Sequence, residues 1–92
     1  MQIRVQPAGI ISQHFPEEVM TFTLEDNSKI ADLYNEIGSS IGGRLPKSIW
    51  NHEKSRFRGP VIVTSGNVIL KSEETLLHDN QLIKLKRFLV GG

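Results

Sequence analysis

The sequence predicts an α+β fold: a mixed sheet of four to five strands with one main helix packed across it. Apolar residues alternate near both ends of the chain, a single helical stripe lies between them, and a β-branched run occupies the second half. The 92 residues are the size of one domain, 1–92. A chain this short buries only roughly 60–65 % of its unfolded surface, so all its elements must share one modest core.

Met1, Ile3 and Val5 alternate with Gln2, Arg4 and Gln6, the period of a half-buried strand over residues 1–7. Pro7-Ala8-Gly9 ends it. Residues 10–16 read as a connection packed in part through Ile10, Ile11 and Phe15. Residues 18–24 alternate again, with Met20, Phe22 and Leu24 on one face, so the two strands form a hairpin across a long loop. The period then changes. Ile30, Leu33, Tyr34, Ile37 and Ile41 fall at i, i+3, i+4, i+7 and i+11, the apolar stripe of a helix. Ser28 or Asp26 is the expected N-cap, and Gly42-Gly43 the expected left-handed stop.

Leu45, Ile49, Trp50 and Phe57 anchor the long segment 43–60, with a short helix expected over 47–52. Val61-Ile62-Val63-Thr64 predicts a central strand. Ser65-Gly66-Asn67 is a tight turn, 68–70 a short strand, 73–77 a short helical turn and 78–81 a second turn. Leu82 to Lys86 alternates, with Ile83 and Leu85 inward. In this order the first and last strands become parallel neighbours at the sheet centre, joined through the helix, which is the β-grasp arrangement.

Composition excludes several chemistries. With no cysteine there is no disulfide, thiol nucleophile or Cys-based zinc site, and the lack of disulfides fits the cytoplasm. No apolar run reaches the length of a membrane span, and the N-terminus lacks the apolar stretch of a signal peptide. His14, His52 and His78 have no paired-ligand spacing, so no metal site is expected. His78-Asp79 has no serine or cysteine partner and reads as a turn capped by Asp79.

The formal charge of +1 argues against wholesale nucleic-acid binding. Trp50 and Phe57 stand among basic residues, as base-stacking aromatics do, but pinning the long loop to the core is the preferred reading. Charge is nonetheless uneven. Residues 17–36 carry six acids and one lysine, whereas 44–58 carry five bases and one acid. Lys84, Lys86 and Arg87 adjoin the C-terminal tail, and in the expected sheet Arg4 lies beside Lys84 and Lys86 on the outer face. Such a basic face steers an acidic partner surface.

Met1-Gln2-Ile3-Arg4-Val5, Ser28-Lys29-Ile30-Ala31-Asp32-Leu33, Leu77-His78-Asp79-Asn80-Gln81-Leu82-Ile83 and the final Gly91-Gly92 carry a resemblance. Together with the element order, they resemble the ubiquitin-like sulfur carriers, such as the molybdopterin synthase small subunit and the thiamine-pathway carrier. The resemblance implies a protein that is no enzyme by itself and binds no cofactor. An adenylating, ubiquitin-activating-like enzyme would use ATP to join the Gly92 carboxylate to AMP. A sulfur donor would then leave a thiocarboxylate on Gly92, for delivery to a sulfur-accepting enzyme such as a molybdopterin synthase large subunit. Residues 88–92 would be a flexible tail.

Gly91 and Val90 would enter a narrow channel, the glycine for want of a Cβ, with Phe88 and Leu89 as partner anchors. Extended, the five residues reach roughly 17 Å. The alternative is a ubiquitin-like protein modifier, joined through Gly92 to lysines of target proteins. Pterin, thiamine, cysteine and tRNA pathways all remain open as destinations for the sulfur.

Overall fold

The first expected strand forms as β1 (Gln2–Ala8), with Ile3, Val5 and Pro7 turned to the core. The structure is a computed structural model that describes residues 1–58 and 61–87. β2 (Met20–Thr23) pairs antiparallel with β1, Gln2 opposite Thr23 and Val5 opposite Met20. Met1 and Leu24 extend this ladder, exchanging both backbone hydrogen bonds at 2.7 and 2.8 Å. Alternation then aims the N–H that Pro7 lacks at the β2 side, past the last paired residues, where no ladder bond is lost. The loop between the strands winds into a 3₁₀ turn over Gly9–His14. It buries Ile11 and Phe15 but leaves Ile10 49 % exposed, because consecutive residues of a helical turn cannot both face the core.

The helix forms as α1 (Ile30–Ile41) and buries all five stripe residues. Ile30, Leu33 and Ile37 are almost wholly covered, each worth about 1.5–3 kcal/mol relative to exposure. Its cap differs from expectation. Lys29 is the N-cap, and the Asp32 carboxylate accepts its backbone N–H at 2.8 Å. Ser28 instead donates its hydroxyl to the Glu25 carbonyl, and its own carbonyl accepts from Leu77 N–H. The same pairing bridges Lys29 to Leu76 and holds Lys29 extended (φ −109°, ψ 171°), so the helix starts one residue later.

The same contact explains why 73–77 winds no further than one hydrogen-bonded turn, Thr75 N–H on the Ser72 carbonyl at 3.2 Å. Thr75 and Glu73 carbonyls accept the Ile30 and Ala31 N–H groups, both at 3.0 Å, satisfying donors that the first turn of a helix leaves open. At the other end Gly42 is right-handed (φ −53°, ψ −35°), and the chain continues into a 3₁₀ turn, Gly42–Arg44. Gly42 and Gly38 both lie under the Trp50 indole. A Cβ on Gly38 would meet both the ring and Ser55 Oγ at 3.2 Å.

The helix expected over 47–52 is only one turn, closed by Ile49 and Trp50 N–H on the Pro46 carbonyl. A hairpin follows, β3 (Trp50–Asn51) with β4 (Arg56–Phe57), forming a separate two-stranded sheet. Leu45, Ile49 and Trp50 are buried as expected. Phe57 packs edge-on to Trp50 and Tyr34 with centroids 4.8 and 5.5 Å away. Both expected aromatics therefore pin this segment to the core.

β5 (Val61–Ser65) and β6 (Val68–Ile69) form the next hairpin, turning at Gly66 with φ +60°. β7 (Gln81–Arg87) closes the main sheet, whose order is β2-β1-β7-β5-β6. The parallel pair β1 and β7 is central, as expected. β5 is displaced from the centre and lies between β7 and the edge strand β6.

Candidate carrier strand and docking face

β7 leads to the C-terminal tail and is held on both sides. β1 runs parallel to it from Ile3–Gln81 to Ala8–Lys86, and β5 runs antiparallel from Ser65–Ile83 to Val61–Arg87. Ile83 and Leu85 are fully buried beneath it. Its N-terminal end is tied across the chain. Asp79 Oδ1 accepts the Gln2 N–H at 2.8 Å, and the Asn80 N–H donates to the Gln2 carbonyl at 2.7 Å. Asp79 thus secures the start of β1 as well as shaping its own turn. His78 is exposed and belongs to that turn, its N–H donating to Gln81 Oε1.

The strand registers sort the expected partner residues. Across the outer face, one row reads Gln6, Lys84, Thr64, Ile69, and the next reads Ala8, Lys86, Ile62. Lys84 and Lys86 are exposed and adjacent on this face, as the sequence reading has them. Arg4 is not beside both. It lies opposite Leu82, nearer the start of β7, and its Nη2 donates to the Asn80 carbonyl at 2.8 Å. A parallel register fixed by Ile3–Gln81 places it there.

Arg87 also leaves the group. It shares its side of the sheet with Ile83 and Leu85 and lies half-buried opposite Val61, with Nε buried and unbonded. Phe88, Leu89, Val90, Gly91 and Gly92 lie outside the described residues.

Two residues join the face without having been singled out from the sequence. Ile69 is 51 % exposed and Ile62 half-buried, both on the β5–β6 side of the two lysines. The alternation Ile62-outward, Val63-inward is hidden in a continuous apolar run, which reads equally as a strand buried on both faces. The face therefore combines two cations with two branched apolar side chains, suited to a partner with an apolar anchor rimmed by carboxylates.

The three histidines sit on different segments: His14 ends the 3₁₀ turn, His52 lies between β3 and β4, and His78 precedes β7. His52 Nε2 contacts the Gly42 carbonyl at 3.0 Å. Among the described residues no cluster of three His, Cys, Asp or Glu side chains could hold a metal ion, and no helix is long and apolar enough to cross a membrane. Tyr34 lines a cleft of about 480 Å³ with Phe57, Val61 and Leu70. Burial pushes its hydroxyl up to about 12, so it stays a neutral phenol.

No protein-family model and no curated protein sequence matches the chain. Solved structures do. The chain is similar to SAMP1 from Haloferax volcanii, a small archaeal modifier protein, with TM-score 0.81 and 6 % identity over all of both chains. It is similar to the Haloferax volcanii HVO 2177 protein, with TM-score 0.74 and 14 % identity over all of this chain and 87 % of the other. It is also similar to a putative molybdopterin converting factor subunit 1 from Pyrococcus furiosus, with TM-score 0.71 and 12 % identity over 96 % and 98 % of the two chains. The fold is the ubiquitin-like β-grasp.

Proposed function

We propose that the chain is a ubiquitin-like sulfur carrier that acts through the carboxylate of Gly92, of the molybdopterin synthase small-subunit type. The observation that supports this most is the placement of β7. A strand gripped by β1 and β5 ends at Arg87, five residues before the final glycine. A rigid strand followed by a short tail suits delivery of a terminus into a partner's active site.

In this reading the Gly92 carboxylate attacks the α-phosphorus of ATP on an adenylating enzyme, and pyrophosphate leaves. A hydrosulfide-equivalent donor then attacks the acyl carbon and AMP departs, leaving a thiocarboxylate. The carrier supplies no side chain to either step, so the absence of cysteine is no obstacle. Val90 and Gly91 pass through the activating enzyme's channel, while Phe88, Leu89 and the Lys84–Lys86 face bind the partner.

The second reading is a protein modifier, which shares the adenylate but passes the acyl group to a lysine amine. Its support is the likeness to SAMP1. Intact-mass analysis after co-production with an adenylating enzyme separates the two. Replacement of one oxygen by sulfur is the expected gain, and loss of Gly92 abolishes it. A ladder of higher-mass conjugates favours the modifier. An unchanged mass with enzyme and ATP present overturns both. Gly91→Val is expected to block activation while leaving the fold intact, because its side chain fills the channel; normal activation of that variant refutes the channel.

A further inference from the structure

The sheet has an edge separated from β7 by β1. β2 is the outermost strand, and among the described residues no strand lies on its other side. The register decides which backbone groups are open. Met1 and Leu24 exchange both their hydrogen bonds, so Phe22 and Met20, two and four residues before Leu24, also turn their backbone groups towards β1. Thr21 and Thr23 therefore present N–H and C=O outward, with exposed side chains. This edge carries none of the usual protections: no proline, lysine or bulge interrupts residues 20–23.

Its surroundings are acidic. An open trough of about 580 Å³ runs from Thr23 and Leu24 to α1 and is bordered by Glu25, Asp26, Asp32 and Glu36. The only lysine in residues 17–36 is Lys29, and it is committed elsewhere, to Glu74 at 2.6 Å. Asp26 pairs with the N-terminal ammonium at 3.7 Å and Asp32 caps α1, which leaves Glu25 and Glu36 the least engaged of the four. Open strand groups select an extended segment, and the uncompensated charge selects its sign.

We propose that the β2 edge docks an extended, Lys- or Arg-rich segment of another protein, which adds as a strand beside Thr21 and Thr23. Its cations lie against Glu25 and Glu36. Main-chain hydrogen bonds supply the affinity and the carboxylates the preference. The site is separate from the Lys84–Lys86 face and does not depend on the chemistry of the terminus.

The test is an NMR titration of the full ¹⁵N-labelled chain with a decapeptide of alternating lysine and valine, against its glutamate–valine counterpart. The lysine peptide is expected to shift the amides of Thr21, Thr23 and Glu25, with affinity falling severalfold as salt rises. Thr21→Pro removes a donor on the open side only, so it is expected to abolish these shifts while preserving the rest of the spectrum. Glu25→Gln with Glu36→Gln leaves the backbone edge intact and is expected to weaken binding roughly threefold to tenfold. The proposal is overturned if the shifts map elsewhere or are absent. Equal binding of the glutamate peptide, or unchanged affinity in the glutamine double variant, overturns it as well.

Discussion

At Tyr34 a single side chain links packing to pH. The residue is 8 % exposed, and burial raises its pKa from 10.0 to about 12. The unfolded chain loses this proton first, so phenolate formation favours unfolding. The stabilising contribution is full below pH 10.0 and is lost as pH rises through about 12, a loss of at most about 3 kcal/mol. Denaturation midpoints are therefore expected to fall across that window, and Tyr34→Phe, which keeps the ring against Phe57, removes most of the fall. Lys29, raised by its hydrogen bond and charge pairing with Glu74, acts with the same sign above its ordinary 10.5 and leaves a remainder. An unchanged alkaline profile in Tyr34→Phe refutes the assignment. Gly38 makes a steric counterpart. Its missing Cβ is the space taken by Trp50, which is itself immobilised by burial, so Gly38→Val is expected to destabilise the fold by about 2 kcal/mol in thermal melts.

Among the elements, Trp50 decides whether the 45–58 segment belongs to the core. It bridges Gly38 and Gly42 of the helical layer and Phe57 across its own two-stranded sheet. Trp50→Ala is expected to cost about 3–5 kcal/mol, a large part of the stability of a small domain. Hydrogen exchange should show lost protection in β3 and β4 before the main sheet; uniform loss across both sheets refutes that order. The same element-scale view explains what could be read in the sequence. β1, β2, β7 and α1 each bury one face, so their periods of 2 and 3.6 residues survive in the order of side chains. The helix cap and residues 73–77 were illegible because Ser28 and Thr75 answer to each other's neighbours across more than forty residues of chain. Strand period gives the face of a residue but not its register, so alternation alone sets Arg4 beside Lys86 whereas the ladder sets it opposite Leu82. An apolar run conceals which side chain points outward, so Ile62 carries no outward signal in the sequence.

For the whole molecule, the registers place two contrasting regions on one small sheet. The β2 edge is acidic, whereas the middle of the outer face presents Lys84 and Lys86 with Ile62 and Ile69 on their β5–β6 side. Long-range charge acts on the encounter rate and close packing on residence time, so the two pairs on the outer face should fail differently. Lys84→Glu with Lys86→Glu is expected to slow association with the adenylating enzyme about tenfold at low salt, the difference shrinking as screening increases. Ile69→Asp should leave the association rate close to wild type and raise the dissociation rate, because it removes an apolar contact made only after docking. Stopped-flow association at several salt concentrations, with circular dichroism to verify folding, separates these outcomes. If the glutamate double variant associates at the wild-type rate at low salt, the lysines are solvated surface and take no part in steering. If Ile69→Asp dissociates no faster, the partner does not reach the β6 side of the face and its contact is confined to β7 and the tail.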